Sequence, residues 1–396
     1  MIKKVAYSFF ILLLIFFSCR SNFIDVERPT KDTPLNKEGI FYVLPLSKII
    51  VEVEISKIIK TKGPYVNYTE KYLGKLSNVI RENNTTWELN NISFHSVSVP
   101  DSQNVFYLTQ NTGTPLPVKL TKEGFLISYN CDEEYTSNDY KFFKNNTYNN
   151  SELNFSFDII SSDKAYKIKY DTIYKIQTYD TIIKKIPILK PSIVKKTIEE
   201  QAEELADKIT ILTDDRAALL VGEGDNDYLP QGAALKLMLN QIDNLMASYI
   251  KMFIGQTDTI HYKYYYTYTP TKDDINTDIS LFKFSINSGV LPVDNLFGED
   301  VILKFSSISN LKSIEDYTTL HNFYFTSDKP KNKGLYYRIP QKVKLQVLYK
   351  NQILAENSML IAQLGTVTFL PAKMFNNENL KIKFYPDLGS IKQIYY

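Results

Sequence analysis

The side chains best suited to hold a ligand sit in one short run, His261-Tyr262-Lys263-Tyr264-Tyr265-Tyr266-Thr267-Tyr268. As a strand, this run places Tyr262, Tyr264, Tyr266 and Tyr268 on one face, because strand side chains alternate with period two. An exposed row of rings can stack on sugars or clasp a partner strand. Turned inward, the same row is a tyrosine-rich core face with hydroxyls at the sheet rim. Metal chemistry has poorer material. His95, His261 and His321 do not pair at ligand spacing, and no HExxH or CxxC occurs. Zinc needs three or four converging ligands, so no metal and no cofactor is expected. Gly222-Glu223-Gly224-Asp225-Asn226-Asp227 alternates acids but lacks the closing Glu of a twelve-residue calcium loop; it reads as a solvated turn. Asp214, Asp215 and Arg216 read as helix-surface charges or an internal ion pair. No GxSxG elbow exists, and Cys131 stands before Asp132-Glu133-Glu134, where negative charge disfavours a thiolate. A hydrolytic carboxylate pair needs no short motif, and none can be picked out. No Walker or Rossmann glycine pattern occurs. The expectation is a protein that is not an enzyme.

These residues depend on the elements that carry them. Val51-Glu52-Val53-Glu54-Ile55 alternates strictly, and Thr85 to Val99 and Val105 to Thr109 also read as strands. Gly63-Pro64 marks a turn, and Tyr65 to Leu73 reads as a short helix ending at Gly74. Residues 111–190 form an irregular excursion. Inside it, Tyr170-Asp171-Thr172-Ile173-Tyr174-Lys175 is echoed nine residues later by Tyr179-Asp180-Thr181-Ile182-Ile183-Lys184. That period is too short for a solenoid and reads as a hairpin or two extended strands. Residues 197–255 switch to a 3.6-residue period. Thr197 and Glu200 have capping-box spacing. Ile198, Ala202, Leu205, Ile209 and Leu212 make one apolar stripe, and Leu235, Leu239, Ile242, Leu245 or Met246, Tyr249 and Phe253 make a second that ends at Gly255. Strands resume at 259–269, 279–286, 300–306, 334–350, 352–362, 365–370 and 379–385. The expected fold class is α+β: two β-rich, sandwich- or barrel-like portions, 39–196 and 256–396, flanking a helical hairpin at 197–255.

The composition, 44% hydrophobic and 23% charged, is that of a folded chain. Twenty-nine Tyr and 23 Phe favour strands. The chain opens MIKKVAYSFFILLLIFFSC: Lys3 and Lys4, an apolar run from Phe9 to Phe17, then Ser18-Cys19. The run is too short for a permanent transmembrane helix, and its order fits export. It resembles a bacterial lipoprotein signal, which implies cleavage before Cys19 and lipid on its thiol and new amine. Residues 1–18 are then the signal and 19–38 a polar tether. Of 46 Lys and Arg, Lys3 and Lys4 would leave with the signal, which balances the 44 Asp and Glu. No basic excess remains to draw nucleic acid. With Cys19 lipidated, Cys131 has no intramolecular disulfide partner.

Several stretches together resemble one family. They are FYVLPLSKIIVEVE at 41–54, KGPYVNYTEKYLG at 62–74, TDDRAALLVGEG at 213–224, YIKMFIG at 249–255, GLYYRIP at 334–340 and IAQLGTVTFLP at 361–371. The family is the Bacteroidetes lipoprotein family catalogued as domain of unknown function 4831, and the resemblance runs from about residue 39 to the C-terminus. It implies a cell-envelope lipoprotein of a Gram-negative bacterium and brings no catalytic residues. Arg20-Ser21-Asn22-Phe23 follow Cys19 where some surface-exposed lipoproteins of that phylum carry acids. The periplasmic face of the outer membrane is therefore expected. The resulting picture is a membrane-anchored interaction or accessory subunit with an envelope protein as partner. The alternatives are a glycan- or peptide-binding lipoprotein using the tyrosine face, and an envelope-polymer hydrolase.

Overall fold

Val51, Val53 and Ile55 are fully buried while Glu52 and Glu54 between them are not, so the strict alternation of this stretch becomes a two-faced strand. The computed structural model describes residues 24–29, 38–110, 116–135, 146–149, 166–179, 182–222, 232–308 and 333–396. The signal segment, Cys19, His321 and the acidic loop beyond Gly222 lie outside the described residues.

In chain order the strands are β1 (Ile24–Glu27), β2 (Gly39–Thr61), β3 (Asn84–Gln110), β4 (Val118–Leu120), β5 (Leu126–Tyr129), β6 (Asn146–Asn149), β7 (Tyr166–Tyr179) and β8 (Ile182–Lys195). They continue as β9 (Gln256–Tyr268), β10 (Asp278–Ser285), β11 (Gly289–Leu291), β12 (Glu299–Ser307), β13 (Lys333–Tyr349), β14 (Gln352–Pro371), β15 (Lys381–Tyr385) and β16 (Ser390–Tyr395). The helices are α1 (Thr69–Leu73), α2 (Ile198–Val221) and α3 (Ala233–Ile254). The fold is α+β and rich in strand, as expected. The sheets run β1-β3-β2-β9-β6, β11-β10-β12-β13-β14, β16-β15-β5-β4 and β7-β8. None of the described helices is long and apolar enough to cross a membrane.

The chain divides into two units built from non-contiguous segments, and β2, β3 and β9 contribute residues to both. The first unit takes residues 1–55, 89–146 and 263–396. It thus draws on both β-rich portions of the sequence. Its core gathers Tyr42, Phe106, Leu335, Phe375, Ile382 and Phe384. Phe106 stacks on Tyr42 at 5.3 Å and on Tyr336 at 4.3 Å, and the Tyr336 amide donates to the Tyr42 hydroxyl at 2.8 Å. Ser47 closes a reciprocal link: its amide donates to Gln363 Oε1 at 2.8 Å, and Gln363 Nε2 returns a bond to the Ser47 carbonyl at 2.9 Å.

Some of the stretch expected as tether is structured. Ile24–Glu27 pairs antiparallel with β3, and Ile24 and Val26 are buried. The two apolar residues at period two supply the inward face of a strand too short to stand out among polar neighbours.

The second unit takes residues 56–88 and 147–262. Thr197 and Glu200 form the capping box at the start of α2, and Gly222 ends that helix in the left-handed conformation. Ala202, Leu205, Ala206 and Ile209 of α2 pack with Met252 and Phe253 of α3 and with Tyr65. Arg216 keeps its place on the helix surface and pairs there with Asp243 of α3 at 2.6 Å. A side chain at Gly255 would meet the Thr61 carbonyl at 2.4 Å, and its φ is +86°, so only glycine fits there. The remaining element is the β7–β8 hairpin, which realises the expected hairpin and lengthens it to fourteen residues a strand.

Candidate functional site

The four tyrosines come first. Tyr262, Tyr264, Tyr266 and Tyr268 lie on β9 and all are half-buried. Tyr266 stacks on buried Phe282 at 4.6 Å, and Tyr268 stacks on buried Phe305 at 5.9 Å. Tyr262 packs on Trp87 at 5.4 Å. Burial pushes the Tyr266 hydroxyl well above the usual phenol range. It also pushes Tyr268 up to about 12, with the Asp274 carboxylate adding to the effect. Of the two readings of this row, sugar- or strand-binding face and tyrosine-rich core face, the half-buried rings stand nearer the second. Tyr262, Tyr266 and Tyr268 spend their faces on the protein's own aromatics, because Trp87 and the phenylalanines of β10 and β12 offer a better surface than water.

The other face of β2 and β9 carries charge. Lys263 Nζ lies 2.7 Å from Glu52 and 2.6 Å from Glu54, and His95 Nε2 lies 3.3 Å from Glu52. The two glutamates hold the lysine far above its ordinary pKa, Glu52 first. Two carboxylates on one strand face are the raw material of hydrolysis. Here the ammonium fills the gap a substrate atom would need.

His261 Nδ1 and Ser56 Oγ are 2.8 Å apart, the distance of a base and its nucleophile. Ser56 is 4% exposed, so a substrate carbonyl has no approach to it. Cys131 is half-buried, with its thiol 3.5 Å from the Ile382 carbonyl. Among the described residues no group of three His, Cys, Asp or Glu could hold a metal ion.

A cleft of about 920 Å³ opens in the second unit where α3 ends. Lys60, Arg81 and Lys251 give it positive charge, and Glu82 is the one carboxyl in its lining.

The β7–β8 ribbon is the most exposed apolar feature of the described chain. Its strands pair in unbroken antiparallel register from Tyr166 opposite Lys195 to Tyr179 opposite Ile182. Period two sorts the side chains cleanly. One face carries Tyr166, Ile168, Tyr170, Thr172, Tyr174 and Ile176 of β7 with Ile183, Lys185, Pro187, Leu189, Pro191 and Ile193 of β8. The other carries Lys167, Lys169, Asp171, Ile173 and Lys175 with Lys184, Ile186, Ile188, Lys190 and Ser192. The first face is bare: Tyr170 is 59% exposed, Tyr174 62% and Ile193 77%. The second is held in water by its lysines, with Lys169 bound to Asp171 at 3.5 Å. At its base, Lys167 pairs with Glu200 of the capping box. Proline has no N–H to give, so Pro187 and Pro191 fit positions where the ladder asks for none.

A two-stranded ribbon alone is marginally stable in water, and large contiguous apolar patches on soluble proteins mark interaction sites. Reasoning from short motifs missed these residues, because an exposed apolar face of Ile, Tyr and Pro carries no chemical signature. The available signal was the run of apolar residues at alternate positions with lysines between them.

No curated protein and no solved structure matches the chain. A family model does, and it spans the first unit's strands, the helical hairpin and the ribbon alike. It matches residues 38–392, and the chain belongs to the family described as domain of unknown function (DUF4831).

Proposed function

We propose that this protein is a lipid-anchored, non-enzymatic subunit of the cell envelope, held at the periplasmic face of the outer membrane by Cys19, whose task is to dock other protein. The observation that carries this reading is the ribbon, whose apolar face stands in water from Tyr166 to Ile176 and from Ile183 to Ile193. The order of charge, apolar run and Ser18-Cys19 at the start of the chain supports the anchor. Three acyl chains hold a protein where a single chain binds only marginally. The polar groups closest to catalytic spacing, Glu52, Glu54, Ser56 and His261, are tied to internal partners or buried.

The test is membrane fractionation and mild-detergent purification of the tagged chain at native expression, beside a Cys19→Ala variant and a variant with Tyr170→Glu and Tyr174→Glu. The expected result is outer-membrane recovery that the Cys19 change abolishes, and a stoichiometric protein companion, of the same or another chain, that the tyrosine changes remove. A protein that fractionates as soluble overturns the anchor. A protein recovered alone and unaffected by the tyrosine changes overturns docking.

A further inference from the structure

From Ile168 to Ile176 the order of side chains on the apolar face of the ribbon's first strand is palindromic, and Tyr166 beyond it has no counterpart. On β7 the apolar face reads Ile168, Tyr170, Thr172, Tyr174, Ile176, the same in both directions about Thr172. Across from it β8 reads Ile193, Pro191, Leu189, Pro187, Lys185, which departs from symmetry only at its ends. Thr172 and Leu189 face each other at the centre. A two-fold axis parallel to the line joining them, above the face, reverses both strands and preserves the order of β7 from Ile168 to Ile176.

We propose that this face is covered by a second copy of the same chain, packed ribbon to ribbon about that axis; the inference rests on the docking role given to the ribbon above. Reversal lays Tyr170 of one copy over Tyr174 of the other, and Ile168 over Ile176. Rings meet rings in the offset arrangement they favour, and aliphatic meets aliphatic. Thr172, the smallest residue of the five, sits on the axis and leaves room for the four rings around it. Ile193 meets Lys185, whose stem lies along the apolar surface while its ammonium reaches water. The contact is isologous and closes after two copies.

Size supports the same occupant. Fourteen residues a strand make a face about 46 Å long. With two strands and their side chains it is roughly 15 Å wide, on the order of 700 Å² in plan. A standard stable interface takes about 800 Å² from each partner. The opposite face interleaves Ile173, Ile186 and Ile188 with Lys167, Lys169, Lys175, Lys184 and Lys190, and the like charge of those lysines opposes a further copy there.

The test uses the full lipidated chain in detergent, with Cys131→Ser as background. Light scattering is expected to give a protein mass twice that of the chain. Tyr170→Glu with Tyr174→Glu is expected to raise the dimer Kd by at least roughly 100-fold while thermal unfolding of the monomer holds. Packed sheets lie about 10 Å apart, so Thr172→Cys places two thiols within reach of a short bismaleimide across the axis. That variant is expected to cross-link to double mass in intact cells, and Lys175→Cys, on the opposite face, is not. A monomer at tens of micromolar, or equal cross-linking from both positions, overturns the second copy. If that monomer still holds a different protein that the tyrosine changes release, the docking role stands and only the identity of the occupant falls.

Discussion

Asp101 and Arg338 form an ion pair with side chains only 8% and 3% exposed, although they stand 237 positions apart in the chain. Asp101 also accepts from the Gln103 amide at 2.9 Å and from Asn104 Nδ2 at 2.7 Å. Burial pulls the Arg338 pKa down, and Asp101 offsets that pull. Removing one partner of a buried pair leaves a charge that nothing compensates. Asp101→Leu is therefore expected to destabilise the first unit by about 3–5 kcal/mol. Adding Arg338→Met should recover much of the loss. Chemical denaturation of both variants measures it, and equal loss in the single and double changes would contradict the assignment.

Glu133 gives the first unit an acid limit. Lys383 at 2.5 Å and Lys392 at 2.8 Å hold its carboxyl below the ordinary value of 4.5, Lys383 first. The folded pKa lies below the unfolded one, so the contribution is complete above the unfolded value and is lost as pH falls through the folded one. The wild-type midpoint should drop more steeply below about pH 4.5 than that of Glu133→Gln. Thermal scans from pH 3 to 7 check this, and parallel curves would contradict it.

The capping box of α2 offers a graded test of the second unit. Thr197→Ala removes the acceptor for the Glu200 amide and is expected to cost about 1 kcal/mol. Gly255→Ala forces a side chain against the Thr61 carbonyl at a left-handed φ and should cost several times as much. Denaturant midpoints rank the two, and a Gly255→Ala chain as stable as Thr197→Ala would refute the close approach.

Lys263 separates two like charges. Lys263→Met leaves Glu52 and Glu54 facing each other on β2 without the ammonium between them. Their like-charge repulsion is then uncompensated. The variant should be destabilised at pH 7, and Glu54→Gln added to it should recover part of the loss. Denaturant midpoints of the single and double changes check this, and a double change no more stable than Lys263→Met alone would contradict it.

Local patterns were readable where one residue type has one physical use. Thr197 three residues before Glu200 announced a cap, and Val-Glu alternation announced a two-faced strand. Where one element contains a residue that usually ends it, the sequence misleads. Pro100 and Asp101 read as a break between strands, yet β3 runs through both because Asp101 is engaged by Arg338. Ile24 and Val26 are too short a run to show against a polar stretch. The tyrosines of β9 were visible as a face, but which way that face turns depends on Phe282 and Phe305, set by pairings no local window contains. The ribbon was visible as a hairpin, while its lack of cover is a property of everything that does not pack on it.

Pro187 and Pro191 bear on a hazard that any sticky β-ribbon faces. A bare strand edge invites another strand, and each addition exposes a fresh edge, which is how fibres grow. The outer edge of β8 is interrupted at two positions that cannot donate, so a strand laid there would lose bonds at both. Strand-by-strand growth along that edge of the ribbon is therefore arrested while its face stays accessible, and two imino acids supply the stopping rule.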